Sequence, residues 1–137
     1  MKTPLLSLLV AGCLAVVPGC GGPHAAKVYG LVTLDGEPLT RGGGTVTFHP
    51  VEQGALAYGQ IDAQGRYQLS TGSDAGLTPG KYAATVVANE PLPLQNPNDE
   101  PQFRPLTPDK YRGTATSDLK VEVKPGDNDI PLALVSK

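Results

Sequence analysis

A chain of 137 residues with 17 glycines, 14 prolines, two phenylalanines and no tryptophan holds material for one domain with one modest core. Its formal net charge of −2 and lack of any basic run exclude a nucleic-acid or anionic-membrane surface of the electrostatic kind. The glycines and prolines interrupt helical periodicity and leave short Val/Thr/Leu/Tyr stretches between them, which excludes an all-helical fold and predicts a small all-β one.

The first element in chain order is a leader. Lys2 supplies a short positive region, an apolar run extends from Leu5 to Val17, and small residues precede Gly21-Gly22-Pro23. Charge, apolar run and small residues are the layout of an export signal. Gly12 and Pro18 interrupt the run, and no stop-transfer charges flank it, so it reads as a signal and not as a span of ~20 apolar residues. Both cysteines of the chain, Cys13 and Cys20, lie here, so the domain beyond has no internal disulfide to rely on. A cysteine just after small residues at the end of an export signal resembles the lipobox of bacterial lipoproteins. That resemblance implies cleavage before the cysteine and acylation of its thiol. Val17-Pro18-Gly19-Cys20 uses the whole apolar run and is preferred; Val10-Ala11-Gly12-Cys13 is the alternative, and an ordinary secretory signal is the other. Residues 1–19 are thus read as signal, 20–26 as a flexible tether carrying His24, and 27–137 as the domain.

Seven strands are predicted in that domain. Residues 27–34 place Val28, Val32 and Leu34 on one side, and Asp35-Gly36 closes them with a hairpin turn. Residues 45–49 place Val46 and Phe48 inward, with His49 on the polar face. Residues 55–61 lead through the turn Asp62-Ala63-Gln64-Gly65 into 66–70, where Tyr67 and Leu69 face inward. Residues 81–88 align Tyr82, Ala84, Val86 and Ala88; 119–124 alternate strictly; Pro125 to Asn128 turn the chain into a last strand with Ile130, Leu132 and Leu134. This spacing predicts a single antiparallel β-sandwich. Residues 89–110 break the rhythm with six prolines, which excludes a central strand and predicts a long surface loop. That loop, with Phe103 and Arg104, is the best candidate contact surface, an insertion without a role being the alternative.

Gly30-Leu31-Val32-Thr33-Leu34-Asp35-Gly36-Glu37-Pro38-Leu39, then Thr45-Val46-Thr47-Phe48, Gly59-Gln60-Ile61-Asp62-Ala63-Gln64-Gly65-Arg66-Tyr67-Gln68-Leu69 and Pro79-Gly80-Lys81-Tyr82 follow one another in an order similar to that of the carboxypeptidase regulatory-like domain. The tail from Tyr111 to Gly126 resembles that of small exported bacterial lipoproteins with this domain. The resemblance covers residues 27–135 and implies a transthyretin-like sandwich and an exported location. It implies no reaction, since the domain is a non-catalytic appendage of the carboxypeptidases that carry it. The Pro-rich stretch is longer than that pattern needs.

Little in the chain suggests catalysis. Beyond the leader there is no cysteine, and His24 and His49 lack the spacing of a zinc site. Tyr111-Arg112-Gly113-Thr114 is similar to the C-terminal Tyr-Arg-Gly-Ser of hydroxyisourate hydrolase, a transthyretin relative, but here two strands follow it and no partner histidines stand in matching positions. Tyr111 is expected to dock the end of the Pro-rich loop, with Arg112 solvated. The Asp62 and Asp127-Asn128-Asp129 segments lack a calcium-loop pattern and read as turns. Neither catalytic residues, nor a metal, nor a cofactor is expected. Exposed aromatics are what a glycan-binding face would need, and Tyr29 and Tyr58 are the candidates. The leading expectation is a non-catalytic lipoprotein, membrane-anchored at the periplasmic side or cell surface through Cys20, that binds an envelope protein or glycan. A weak carbohydrate-binding module is the alternative, and a transthyretin-type hydrolase a remote one.

Overall fold

The computed structural model describes residues 24–137; the leader, with Cys13 and Cys20, lies outside the described residues. Twelve strands follow in order: β1 Ala26–Leu34, β2 Glu37–Pro38, β3 Gly43–Pro50, β4 Ala57–Ile61, β5 Arg66–Gln68, β6 Ser70–Thr71, β7 Asp74–Ala75, β8 Gly80–Pro91, β9 Phe103–Pro105, β10 Lys120–Val123, β11 Gly126–Asp129 and β12 Leu132–Leu134, with one 3₁₀ turn, Asp109–Tyr111, before β10. They form two sheets. In the first, β1 is flanked by β11 and β12 on one edge and by β5 and β2 through its other pairings. In the second the order is β10-β8-β3-β4-β6-β7, with β9 also on β8.

The apolar alternation dictates what lies between the sheets. Val28 and Val32 of β1, Val46 and Phe48 of β3, and Ala84, Val86 and Ala88 of β8 are all buried. The Phe48 ring tilts against Tyr67 at 6.4 Å and Tyr82 at 5.9 Å between centroids, so the three aromatics form the middle of the core. The two tyrosines of this trio donate to backbone carbonyls, Tyr67 to Ile130 at 2.5 Å and Tyr82 to Thr78 at 2.6 Å. Such a partner is what permits a phenol in an apolar interior.

Two of the predicted turns, at Asp35-Gly36 and at Asp62 to Gly65, form as expected. Asp35 and Gly36 both adopt positive φ, 52° and 86°, the geometry of a two-residue hairpin. Asp62 Oδ1 accepts the N–H groups of Gln64 and Arg66, each at 2.9 Å, and holds the turn that carries the chain from the second sheet to the first.

Four features correct the sequence reading. The sandwich is not purely antiparallel: β11 and β12 run parallel to β1, from Ala26↔Gly126 to Leu34↔Leu134. The cause is the turn after β10, which crosses between sheets at the end where β1 also starts. Asp127 to Asp129, expected as a turn, therefore belong to β11; the turn is held instead by Asn128, whose side chain accepts from Lys124 N and donates to Lys124 O. The tether expected to reach residue 26 ends sooner, since Ala26 is fully buried and exchanges two backbone hydrogen bonds with Leu77.

The fourth concerns residues 89–110, which are not simply a loop. β8 continues to Pro91 and pairs with β9, making a hairpin arm. The ladder bonds run from Leu92 N to Gln102 O and from Leu106 N to Ala88 O. Pro91 and Pro105 therefore fall on the alternate positions, where an antiparallel pair requires no N–H.

Candidate functional site

The first sheet turns toward solvent the face opposite to Val28 and Val32. Pairing places Gln68, Tyr29 and Asp129 in one row across it, and Arg66 beside Leu31. Close by, β4 contributes Gln60, and Asp62 begins the turn. These side chains border an open groove of about 600 Å³. Tyr67 lies at its floor, packed over Gly30, to which it is paired. A Cβ on Gly30 would stand 2.2 Å from Ile130 O and 3.1 Å from the Tyr67 ring, so only glycine leaves the space the phenol occupies. Burial, reinforced by the Asp129 carboxylate, raises the Tyr67 hydroxyl far above its ordinary pKa. It stays a neutral donor to Ile130 O and offers no base to the groove.

The groove presents one aromatic face and several hydrogen-bonding groups. Tyr29 is 41% exposed and gives an aromatic face with a hydroxyl tip. Gln60 and Gln68 offer planar amides that donate and accept, Arg66 offers a donor fork, and Asp129 accepts.

The outer face of the second sheet is different. Thr45, Thr47, Thr85 and Ala83 make it flat, and His49 and Tyr58 stand on it. His49 Nε2 and Thr85 Oγ1 share a hydrogen bond of 3.0 Å. Burial holds the His49 imidazole below its ordinary value of 6.5. The unfolded chain thus takes up this proton at higher pH than the folded one, so stability is full above about pH 6.5 and falls as pH drops through the window below it. His49→Gln, which retains a polar partner for Thr85, is expected to flatten this slope in urea titrations between about pH 5 and 7. An unchanged slope would contradict the assignment.

The residues singled out from sequence fall in three separate places. Tyr29 lines the groove; Tyr58, 46% exposed, stands on the other sheet and does not line it. Phe103, 61% exposed, and Arg104 lie on β9 at the arm, where Arg104 is ion-paired and hydrogen-bonded to Glu90. Leu92 and Leu94 are exposed on the same arm. Tyr111 does dock the end of the Pro-rich stretch: it is 1% exposed, and its hydroxyl accepts Val135 N–H at 3.0 Å. Arg112 sits 3.8 Å from Asp109, and neither it nor Tyr111 lines the groove. His24, expected in solvent, is half-buried with Nε2 3.7 Å from Asp74. Gln60, Arg66, Gln68 and Asp129 were missed as site residues, because each reads in sequence as the polar half of an alternating strand or as a turn residue.

Among the described residues no group of three or more His, Cys, Asp or Glu side chains is arranged to hold a metal ion, and no helix is long and apolar enough to cross a membrane. Comparison with protein-family models, with curated proteins and with solved structures finds no match.

Proposed function

We propose that this chain is a non-catalytic binding module of the cell envelope, a carboxypeptidase regulatory-like sandwich tethered to a membrane through an acylated Cys20. The observation that carries the binding role is the arm formed by the end of β8 and by β9. It extends past the last β3 pairing, Gly43↔Asn89, and exposes Leu92, Leu94 and Phe103 together. Apolar side chains grouped on a protruding hairpin mark a contact surface more often than an incidental one. The export-type leader and the order of turn motifs support the tether and the family.

Intact mass of protein purified from host membranes tests the tether: residues 20–137 plus acyl chains are expected, and a Cys20→Ala chain is expected to escape that processing. A photo-cross-linker at Phe103 tests the arm. A discrete adduct is expected in intact cells, lost when Leu92 and Leu94 are changed to Ser. No adduct at 103 overturns the role given to the arm.

The groove favours a second reading, in which the bound partner is a glycan laid on Tyr29 with Gln60, Gln68 and Asp129 reading its hydroxyls. Calorimetric titration with envelope polysaccharides would then show heat that Tyr29→Ala abolishes. No heat with any of them dismisses this reading.

A further inference from the structure

The structure fixes which end of the sandwich a Cys20 anchor must face, and that end is chemically distinct. His24 is the first described residue, and the chain is held from there on. Nε2 lies near Asp74, Ala25 O accepts from Gly126 N, and a Cβ on Gly76 would stand 2.9 Å from His24 O. Four Cα–Cα steps separate Cys20 from His24, so at ~3.3–3.6 Å each they span at most ~14 Å. The polar zone of one leaflet takes up ~5–8 Å of that reach, so the His24 end of the sandwich stands within ~10 Å of the headgroups.

Pairing shows what else lies at this end. Ala26 meets Leu77 and Gly126; Gly80 meets Val123; Tyr82 meets Pro50, and Val51 N donates to Lys81 O. The loop between β3 and β4 is therefore at the anchored end. It exposes Val51 by 62% and Leu56 by 50%. Val51 also borders a shallow hollow with Tyr82 and Val121, rimmed by Lys81, Lys120 and Glu122. Two apolar tips beside lysines whose alkyl stems can lie along a nonpolar surface suit the interface of a bilayer. The arm with Leu92, Leu94 and Phe103 is at the opposite end, since Asn89 pairs with Gly43, where β3 begins.

We infer that Val51 and Leu56 rest in the lipid interface that anchors Cys20, so that the sandwich stands on its β3–β4 loop with the arm directed away from the membrane. The inference rests on the tethered reading proposed above. The net charge of −2 gives no electrostatic pull, so the contact is apolar and holds only because the anchor keeps the loop at the surface.

The mature chain has no other cysteine, so a single environment-sensitive label can be placed at V51C, at L56C or, on the arm, at L94C. The acylated full-length proteins are reconstituted into phosphatidylcholine vesicles carrying spin-labelled lipid, after intact mass has established acylation at Cys20. Labels at 51 and 56 are expected to lose most of their emission to the lipid-borne quencher and the label at 94 to keep it. Acylated protein quenched equally at all three positions, or at none, overturns the orientation and leaves the tether standing. Protein that carries no acyl chain overturns both.

Discussion

Replacing Gly59 with alanine is expected to destabilise the fold by about 3 kcal/mol or more, at the upper end for added core atoms. Its φ is not positive, so conformational freedom is not the reason. The reason is contact: a Cβ there would stand 1.9 Å from Gln68 O and 2.8 Å from Gln68 C. Gly59 lies on β4 in the second sheet and Gln68 on β5 in the first, so this is where the two sheets close on each other without a shared ladder. Backbone on both sides leaves no flexible side chain to yield. Denaturant unfolding is the measurement, and a loss under about 1 kcal/mol would mean that the corner opens easily. The same change at Gly43, where a Cβ meets nothing within 4 Å, serves as the control and is expected to be nearly neutral.

Tyr111→Ala is expected to cost about 3–5 kcal/mol, and Tyr111→Phe about 1 kcal/mol. Among the largest fully buried side chains, Tyr111 is supplied by the 3₁₀ turn and not by a strand. Its ring fills the space beside β8 and the C-terminal strand, and its hydroxyl accepts Val135 N–H, so one residue ties the segment after the arm to the end of the chain. Alanine leaves a ring-sized void and an unpaired amide; phenylalanine leaves the amide alone. Thermal unfolding separates the two, and equal losses for both variants would show that the hydrogen bond, not the packing, holds the segment.

Facing was legible in the sequence; pairing was not. Period-two alternation fixes which side chains go inward, and so Val46 and Phe48, Tyr67 and Leu69, and Tyr82, Ala84, Val86 and Ala88 lie where it put them. Turn chemistry fixes where the chain reverses, as at Asp35-Gly36 and Asp62–Gly65. Neither says which sheet the next strand joins. Nothing in Pro125-Gly126 distinguishes a hairpin from a crossing, and only the crossing makes β11 parallel to β1. Prolines at 91 and 105 read as breakers because the position of a missing N–H within a ladder is invisible until the register is known. The groove was hidden for a related reason. Tyr29, Gln60, Gln68 and Asp129 are up to a hundred residues apart, and they meet only because β1 takes a partner on each edge while β4 closes on β5.

The parallel alignment of β1 with β11 and β12 has a mechanical consequence. The chain enters the domain at one end of this ladder and leaves at the other, with partners offset by a constant hundred residues from Ala26↔Gly126 to Leu34↔Leu134. A pull between the two termini therefore acts along the strands and in opposite senses on neighbours, so the bonds of the ladder resist together in shear. An antiparallel closing strand would have peeled, one bond after another. A domain held at its N-terminus and strained toward its C-terminal end is built in the direction in which a sheet is hardest to tear.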